Sequence, residues 1–558
     1  MVRPGLPVSQ TVHGLLGRTA ARRPGESVRF HSERDTVTYR DLSERARLMA
    51  GELAAEGVQP GACVGILSPN APDYFQSLFA VSAAGGAACP LPVPFGLRDI
   101  TGYGRRLSRI AAVSGMRLIL VSPRLAPLAG QLAAALPGLR LRPAAIAGTP
   151  AAGLPATLPA IGEDDDAIVQ FTSGSTAQPK GVRLTHRNVL AGLAAIAAGI
   201  ALGDGDAGGF WLPLFHDMGL FGVMSGIQAG IPMHVWSPVS FIKSPARWLR
   251  EFLASGSTIT AMPDFGYQML TAAVSPDEAA ALDMSRWRVA CNGSEPITVG
   301  TVAGFTERFA PGGFRAETML AVYGMAEATL AVTFPPLGRR PVFDWVDRGA
   351  LTSTGRAVRA QPDAPGSRPV AGVGHPVAGL ELRITDPATG TPVPAGTVGE
   401  IQIRGASVTV GYLGQSAEES AASFAGGWLR TGDLAYARDG EVFVTGRRKE
   451  MITVRGANFY PQDVELIARE VPGVFRGNCV AVAGTDGDAA DGAEEILLIA
   501  ETDRAGAGAD ELAARLRQQV AAELGLTAVT VRLVAPRTIP RTSSGKVRRL
   551  STREAGWS

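Results

Sequence analysis

The sequence predicts an α/β fold of helices packed on sheets, followed by a small α+β domain at the C-terminus. Three observations carry this expectation. The chain has 558 residues, more than one hydrophobic core normally organises. Short strand-like runs alternate with helix-periodic runs from the N-terminus onward. Past Gly446 the pattern starts afresh as a compact unit.

The first elements read as a strand pair, Ser27–His31 and Thr36–Tyr39. A helix over Asp41–Gly57 follows, with Leu42, Ala46, Met49 and Leu53 on one stripe and Gly57 as its stop. Ala62–Leu67 reads as a buried strand. Residues 143–166 are rich in Ala, Pro and Gly and read as a surface connection, and a second such stretch spans 356–372. Near the C-terminus, strand Ile496–Ala500 precedes a helix carrying Leu512, Leu516, Val520 and Leu524 on one face.

Bulk properties exclude several classes. Hydrophobic residues make up 46% and charged residues 19%, which fits a soluble globular chain and not a disordered one. The net charge of +2 provides no field for nucleic acid. Cys63, Cys89, Cys291 and Cys479 are scattered, so no zinc site or disulfide framework is expected and a reducing cytoplasm is the default. No signal-peptide core is present at the N-terminus. The longest apolar run, Leu190–Leu202, is too short to span a bilayer and reads as a buried helix.

The chemistry begins at residue 165. A strand (DAIVQFT) opens into SGSTAQPKG, and a second strand, VRLT, leads to a helix capped by Thr185. Such a turn presents consecutive backbone N–H groups as a nest for phosphate oxygens. Thr172, Ser173, Ser175 and Thr176 add hydroxyls, Lys180 adds charge, and Gly174 and Gly181 are counted with them as nucleotide-binding positions. The spacing is not that of a Walker loop, because Pro179 stands where a glycine is needed.

Taken with its flanks, FTSGSTAQPKGV resembles the phosphate loop of the adenylate-forming superfamily: acyl-CoA synthetases, nonribosomal adenylation domains, luciferases and fatty acyl-AMP ligases. Further matches follow in order: NGSEP (292–296), YGMAEATL (323–330), RTGDL (430–434), GRRKEMITVRGANFYPQDVE (446–465) and PRTSSGKVRR (540–549). The resemblance implies a large N-terminal adenylation domain of several subdomains over 1–445, a hinge at 446–450 and a small mobile domain over 451–558.

It also implies ATP and Mg²⁺ as cofactors and assigns roles. Gly293, Ser294, Glu295 and Pro296 would lie along adenine. Tyr323, Gly324 and Met325 would contact nucleotide, and Glu327 would bind the metal. Asp433 would accept the ribose hydroxyls, with Arg447 reaching ribose or phosphate. Lys449 would be the hinge residue. Lys546 would be the lysine that touches carboxylate and α-phosphate together. An isolated glutamate, turn aspartate or tail lysine would ordinarily be read as solvation or turn chemistry; the ordered motifs reverse that reading.

Four departures resemble the fatty acyl-AMP ligase branch. LPLFHDMGL (212–220) resembles its substrate-gate segment, so His216 and Asp217 are given a gating or structural role instead of a metal or acid–base one. Met218, Ile227 and Gly230 are expected to line the acyl site. Ala326 replaces the threonine of the common YGxTE motif and removes a hydroxyl from the nucleotide site. GANFYPQDVE resembles that branch's hinge region, and residues 344–372 resemble its insertion, which implies restricted domain movement and disfavoured coenzyme A.

The expected reaction is activation of a fatty acid as acyl-AMP with release of pyrophosphate. Transfer to the phosphopantetheine thiol of an acyl carrier protein follows, in lipid, polyketide or lipopeptide biosynthesis. No carrier segment follows Lys546, so the carrier is expected to be a separate protein or partner module. Arg537, Arg541, Arg548, Arg549 and Arg553 fit an acidic carrier and a solvated basic face equally well. An acyl-CoA synthetase is the nearest rival. A catalytically silent nucleotide-binding regulator is a rival of another class, opposed by Lys546, Glu327, Asp433 and Lys180. An amino-acid adenylation domain is opposed because Asp217 alone could meet an α-ammonium.

Overall fold

The computed structural model describes residues 10–93, 100–145, 158–172, 179–454, 457–485, 494–524, 529–541, 547, 549 and 552. The chain divides into two compact units. The first comprises Met1–Pro341, His375–Glu381 and Arg404–Gly427; the second comprises Val342–Gly374, Leu382–Ile403 and Trp428–Ser558.

Two seven-stranded sheets organise the first unit. One runs in the order Met319–Ala321, Val289–Asn292, Ile259–Met262, Gly208–Phe210, Met233–Val235, Ser27–Phe30 and Asp35–Thr38. It is parallel except for the terminal hairpin Ser27–Phe30/Asp35–Thr38. That hairpin stops one residue before the predicted end, because the Thr38 hydroxyl accepts from Asp41 N–H and starts helix Tyr39–Ala55. The other sheet runs Gly411–Leu413, Lys180–Thr185, Asp166–Thr172, Ala87–Pro90, Cys63–Leu67, Leu118–Val121 and Arg140–Pro143.

Helices separate these sheets. Pro72–Ala83 is buried at every residue, and its apolar sequence (YFQSLFAVSA) carries no polar stripe for solvent. The predicted buried helix at 190–202 is His186–Gly199, started by a capping box between Thr185 and Asn188. It packs on the strands Asp166–Thr172 and Lys180–Thr185 and on helix Asp217–Ala229, which in turn covers Gly208–Phe210, Met233–Val235 and Ile259–Met262.

In the second unit, Gly399–Gly405, Trp428–Arg438 and Glu441–Arg447 form an antiparallel sheet. The predicted C-terminal strand and helix are Glu494–Glu501 and Ala507–Leu524, with Leu512, Leu516 and Val520 fully buried. Strand Glu494–Glu501 lies between Cys479–Thr485 and Thr530–Val534. The segment holding the Pro/Gly-rich stretch 356–372 is not a bare loop. Phe343–Asp347 and Ser367–Ala371 form a hairpin whose Val346, Leu351 and Val370 share a core with Tyr436, Phe443 and Tyr460.

Among the described residues no helix is long and apolar enough to cross a membrane. All four cysteines are free thiols.

Two histidine pairs, with His186 buried and His13, His31 and His234 half-buried, tie early elements to later ones. Val12 N–H donates to His186 Nδ1 at 3.0 Å, and the His186 ring meets that of His13 edge-on. His31 Nε2 lies 3.0 Å from His234 Nδ1, with His31 stacked on Trp236. Burial, reinforced by neighbouring positive charge, lowers all four imidazoles from 6.5 to about 4. A depressed folded value means stability that is complete above pH 6.5 and lost as pH falls toward 4. Melting temperature is therefore expected to be level above pH 7 and to drop between pH 6.5 and 4. His186→Asn, whose Oδ1 can still accept from Val12, is expected to flatten part of that drop.

Candidate active site

The Lys180–Thr185 strand carries Lys180 at its start, opposite Thr172. Gly181 follows because a Cβ there would lie 2.9 Å from Val169 Cγ1 and 3.0 Å from Phe171 Cζ. Strand Gly411–Leu413 pairs beside it and brings Tyr412 to the site. The Tyr412 hydroxyl donates to Glu327 Oε1 at 3.1 Å, and Lys180 Nζ sits 6.0 Å from the Tyr412 ring centre. Burial first, and then the Glu327 charge, push the phenol well above its ordinary range, so it remains a donor. Glu327 sits in the 3₁₀ turn Ala326–Ala328, and its carbonyl accepts from Thr409 N–H at 2.7 Å. Ser173, Gly174, Ser175 and Thr176, the Thr172 side chain and Lys546 lie outside the described residues.

The expected adenine segment leaves the C-terminal end of strand Val289–Asn292. A Cβ on Gly293 would come within 2.7 Å of Val322 O, so the backbones approach as closely as glycine permits. Ser294 holds φ +73°, a conformation that costs a non-glycine residue about 1 kcal/mol or more. The Glu295 carboxylate accepts from Phe265 N–H at 2.7 Å, at the positive end of helix Asp264–Ala273. Pro296 is exposed. The neighbouring strand end supplies Tyr323 and Gly324. A Cβ on Gly324 would lie 2.0 Å from Leu330 O. Met325 is buried and donates its N–H to Leu330 O.

A cavity begins at these residues. Ser294, Tyr323, Gly324, Asp217 and Met218 border it along the C-terminal edge of the parallel sheet, where ligands bind in open α/β sheets. It continues between that sheet and helix Asp217–Ala229 to Ser225, Gly226, Gly208, Met233 and Ile259 at the opposite edge. Its walls include Ile196, Ile200, Phe210, Leu330 and Phe334. Cys291 also borders it, with burial pushing its thiol up to about 12, so it is a neutral wall group.

Of the acyl-site residues read from the sequence, Met218 and Asp217 border this cavity, and Ile227 and Gly230 do not. Met218, Gly222, Ser225 and Gly226 occupy one helical face, and Ile227 falls off it into full burial. Gly230 ends the helix at φ +75° against Arg23. His216 precedes the helix and pairs through Nδ1 with Asp217 Oδ1 at 3.0 Å, while Asp217 Oδ1 also accepts from Met218 N–H. The segment around them is pinned by residues that sequence reasoning passed over. Asn70 donates to Leu212 O, Tyr74 to Leu214 O and Gln170 to Phe215 O. These positions carry only generic polar signals and lie 45 or more residues away in sequence.

In the second unit, Asp433 is buried and paired with Arg447, Nε to Oδ1 at 3.0 Å, across adjacent strands. Glu400, also missed, organises that turn: it accepts from Arg430 Nη2 at 2.7 Å and from Gly432 N–H at 3.2 Å. Lys449 is exposed in the 3₁₀ turn Arg448–Glu450. Arg549 belongs to neither reading offered for the basic tail. It is an internal tie, binding Glu465 at 2.7 Å and Glu450 at 2.8 Å. Arg541 donates to Asn478 Oδ1, and Arg548 and Arg553 lie outside the described residues.

The site thus combines a parallel-sheet edge with close-approach glycines, a half-buried glutamate–tyrosine pair and an apolar cavity. The model of the AMP-binding enzyme family matches residues 16–413. The chain is 34% identical to the 4-hydroxyphenylalkanoate adenylyltransferase of Mycobacterium tuberculosis, over 93% of this chain and 86% of that one. It is 32% identical to the medium-chain-fatty-acid–[acyl-carrier-protein] ligase JamA of Moorena producens, over 93% and 90%. A solved structure from work on fatty acyl-adenylate ligases of E. coli and L. pneumophila superposes with a TM-score of 0.87 at 31% identity, covering 98% of this chain and 97% of that one. The chain belongs to the AMP-binding enzyme family.

Proposed function

We propose that this enzyme is a fatty acyl-AMP ligase, converting a fatty acid and ATP to acyl-AMP and pyrophosphate and passing the acyl group to an acyl carrier protein. One observation carries the reading: a long apolar cavity starts at Ser294, Tyr323 and Gly324, the residues assigned to nucleotide.

The reaction brings together two anions, the carboxylate and the α-phosphate. Catalysis therefore consists of positioning and charge neutralisation, and the substrate carboxylate needs no base. Residues 172–176 and Lys180 hold phosphate oxygens, Asp433 and Arg447 address the ribose, and Lys546 neutralises the reacting centre. Glu327 is a fitting magnesium ligand. Magnesium takes one or two carboxylates plus phosphate oxygens rather than a protein cage, and no cluster of three or more ligating side chains exists among the described residues. Bound there, the ion would neutralise phosphate charge; Tyr412 fixes the carboxylate that would hold it.

Residues 446–450 act as the hinge of a mobile domain over 451–558, and the insertion disfavours coenzyme A. The acceptor is the phosphopantetheine thiol of a separate carrier. The setting is a reducing cytoplasm, in keeping with four free thiols.

The test supplies ATP, Mg²⁺ and a panel of fatty, hydroxyaryl and amino acids, with hydroxylamine to trap activated acyl groups. Fatty hydroxamates should dominate. A second arm offers coenzyme A or a phosphopantetheinylated carrier. Rapid acyl-CoA formation would overturn the ligase assignment, and absence of acid-dependent pyrophosphate release would overturn the enzyme itself.

A further inference from the structure

We propose that Met233 is the floor of the acyl cavity and sets the length of the fatty acid. The proposal rests on the acyl-AMP reading above and deepens it.

Helix Asp217–Ala229 contains three glycines, at 219, 222 and 226, each costing about 1 kcal/mol relative to alanine in a helix interior. Close approach explains all three. At Gly219 a Cβ would meet Pro213 O at 2.4 Å. At Gly222 it would meet Phe210 Cε1 at 2.6 Å, and at Gly226 it would meet Met233 Sδ at 2.0 Å. Across the sheet, Gly208 stands directly beside Met233 in register, and a Cβ there would lie 2.5 Å from Met233 Cε. The Met233 thioether thus lies in a trough made by two glycines, one on the helix and one on the strand. Gly208, Gly226 and Met233 all border the cavity.

Met233 begins its strand, at the edge of the sheet opposite Ser294. In register it lies level with Gly208, Ile259 and Val289. From Val289 to Asn292 the strand advances roughly 10 Å at about 3.3 Å per residue, and Ser294, where φ turns to +73°, follows just beyond it. The cavity axis therefore accommodates an acyl chain of limited length before it meets the thioether. Methionine is unbranched and adaptable, which lets the two glycines, and not its own stiffness, decide where it lies.

The experiment measures kcat/KM for pyrophosphate release across saturated acids from hexanoate to octadecanoate, with full-length enzyme. Met233→Ala removes Cγ, Sδ and Cε. The optimum should move to longer acids, with long-to-short selectivity rising on the order of ten-fold per added methylene that gains a place. Gly226→Ala forces the thioether into the cavity and should move the optimum to shorter acids. In the double variant Gly226→Ala/Met233→Ala there is no thioether to displace, so the long-chain profile of Met233→Ala should return. Melting temperature and ATP affinity are recorded for each variant.

An unchanged length profile in a folded Met233→Ala enzyme, or a uniform loss at every length, overturns the assignment. So does a Gly226→Ala effect that is equal in both backgrounds. Failure of the wild-type enzyme to activate any aliphatic acid overturns the acyl-AMP reading instead.

Discussion

Replacing Lys546 by alanine is expected to slow acyl-AMP formation by roughly a hundred- to a thousand-fold, the loss seen when one preorganised donor is removed from a developing charge. Binding of ATP and of fatty acid should change far less, because in the proposed mechanism the lysine acts where carboxylate and α-phosphate meet. Pre-steady-state pyrophosphate release gives the rate, and calorimetric titration gives the affinities. Lys546→Arg should rescue little, since a planar fork does not replace a compact ammonium at a shared centre. Full speed in Lys546→Ala would remove the basis of the proposed mechanism.

The second large effect concerns stability. Arg368, on strand Ser367–Ala371, pairs with Asp463 at 2.9 Å with both side chains at 7% exposure or less. It also donates to Thr445 O at 2.9 Å and covers the Tyr460 ring at 4.3 Å. Arg368→Ala leaves a buried carboxylate without its partner and should cost about 3–5 kcal/mol. The paired replacement Arg368→Met/Asp463→Leu should recover most of that, and a double-mutant cycle isolates the coupling.

Burial already raises the Asp463 carboxyl above its ordinary value, against the pull of Arg368 and Arg348. A raised folded value favours the folded state in acid and penalises it as pH rises through that value. The Arg368→Ala deficit should therefore be smallest in mild acid and largest at neutral pH, as chemical denaturation at a series of pH values would show. If the insertion limits domain movement, the same variant should also form more acyl-CoA.

Local chemistry made much of this legible in the sequence. The Thr185 cap and the stripe of Leu512, Leu516 and Val520 are set by neighbours within a few turns, and they stand where the sequence put them, while the apolar run at 190–202 is helical as far as Gly199. The ordered motifs pointed to the Ser294 and Tyr323 segments, which the fold brings to one cavity. What stayed hidden depends on partners distant in sequence. Tyr412 meets Glu327 across 85 positions, and a GYL triplet alone gives no hint of that. Gly208 and Gly226 read as weak points of a strand and a helix until Met233 is seen between them. Ile227 is fully buried one step off the face that borders the cavity, and in sequence an apolar residue there looks the same as one on that face.

The chain passes back and forth between its two units, and this bears on how the protein can be cut. Strand Gly411–Leu413 belongs to the first unit although it follows two excursions into the second. A fragment stopped at Pro341 would lack it, baring the Lys180–Thr185 edge to edge-to-edge aggregation and leaving Glu327 without Tyr412. Module exchange in this enzyme should therefore keep residues 404–427 with the N-terminal part, and simple truncation should yield insoluble material.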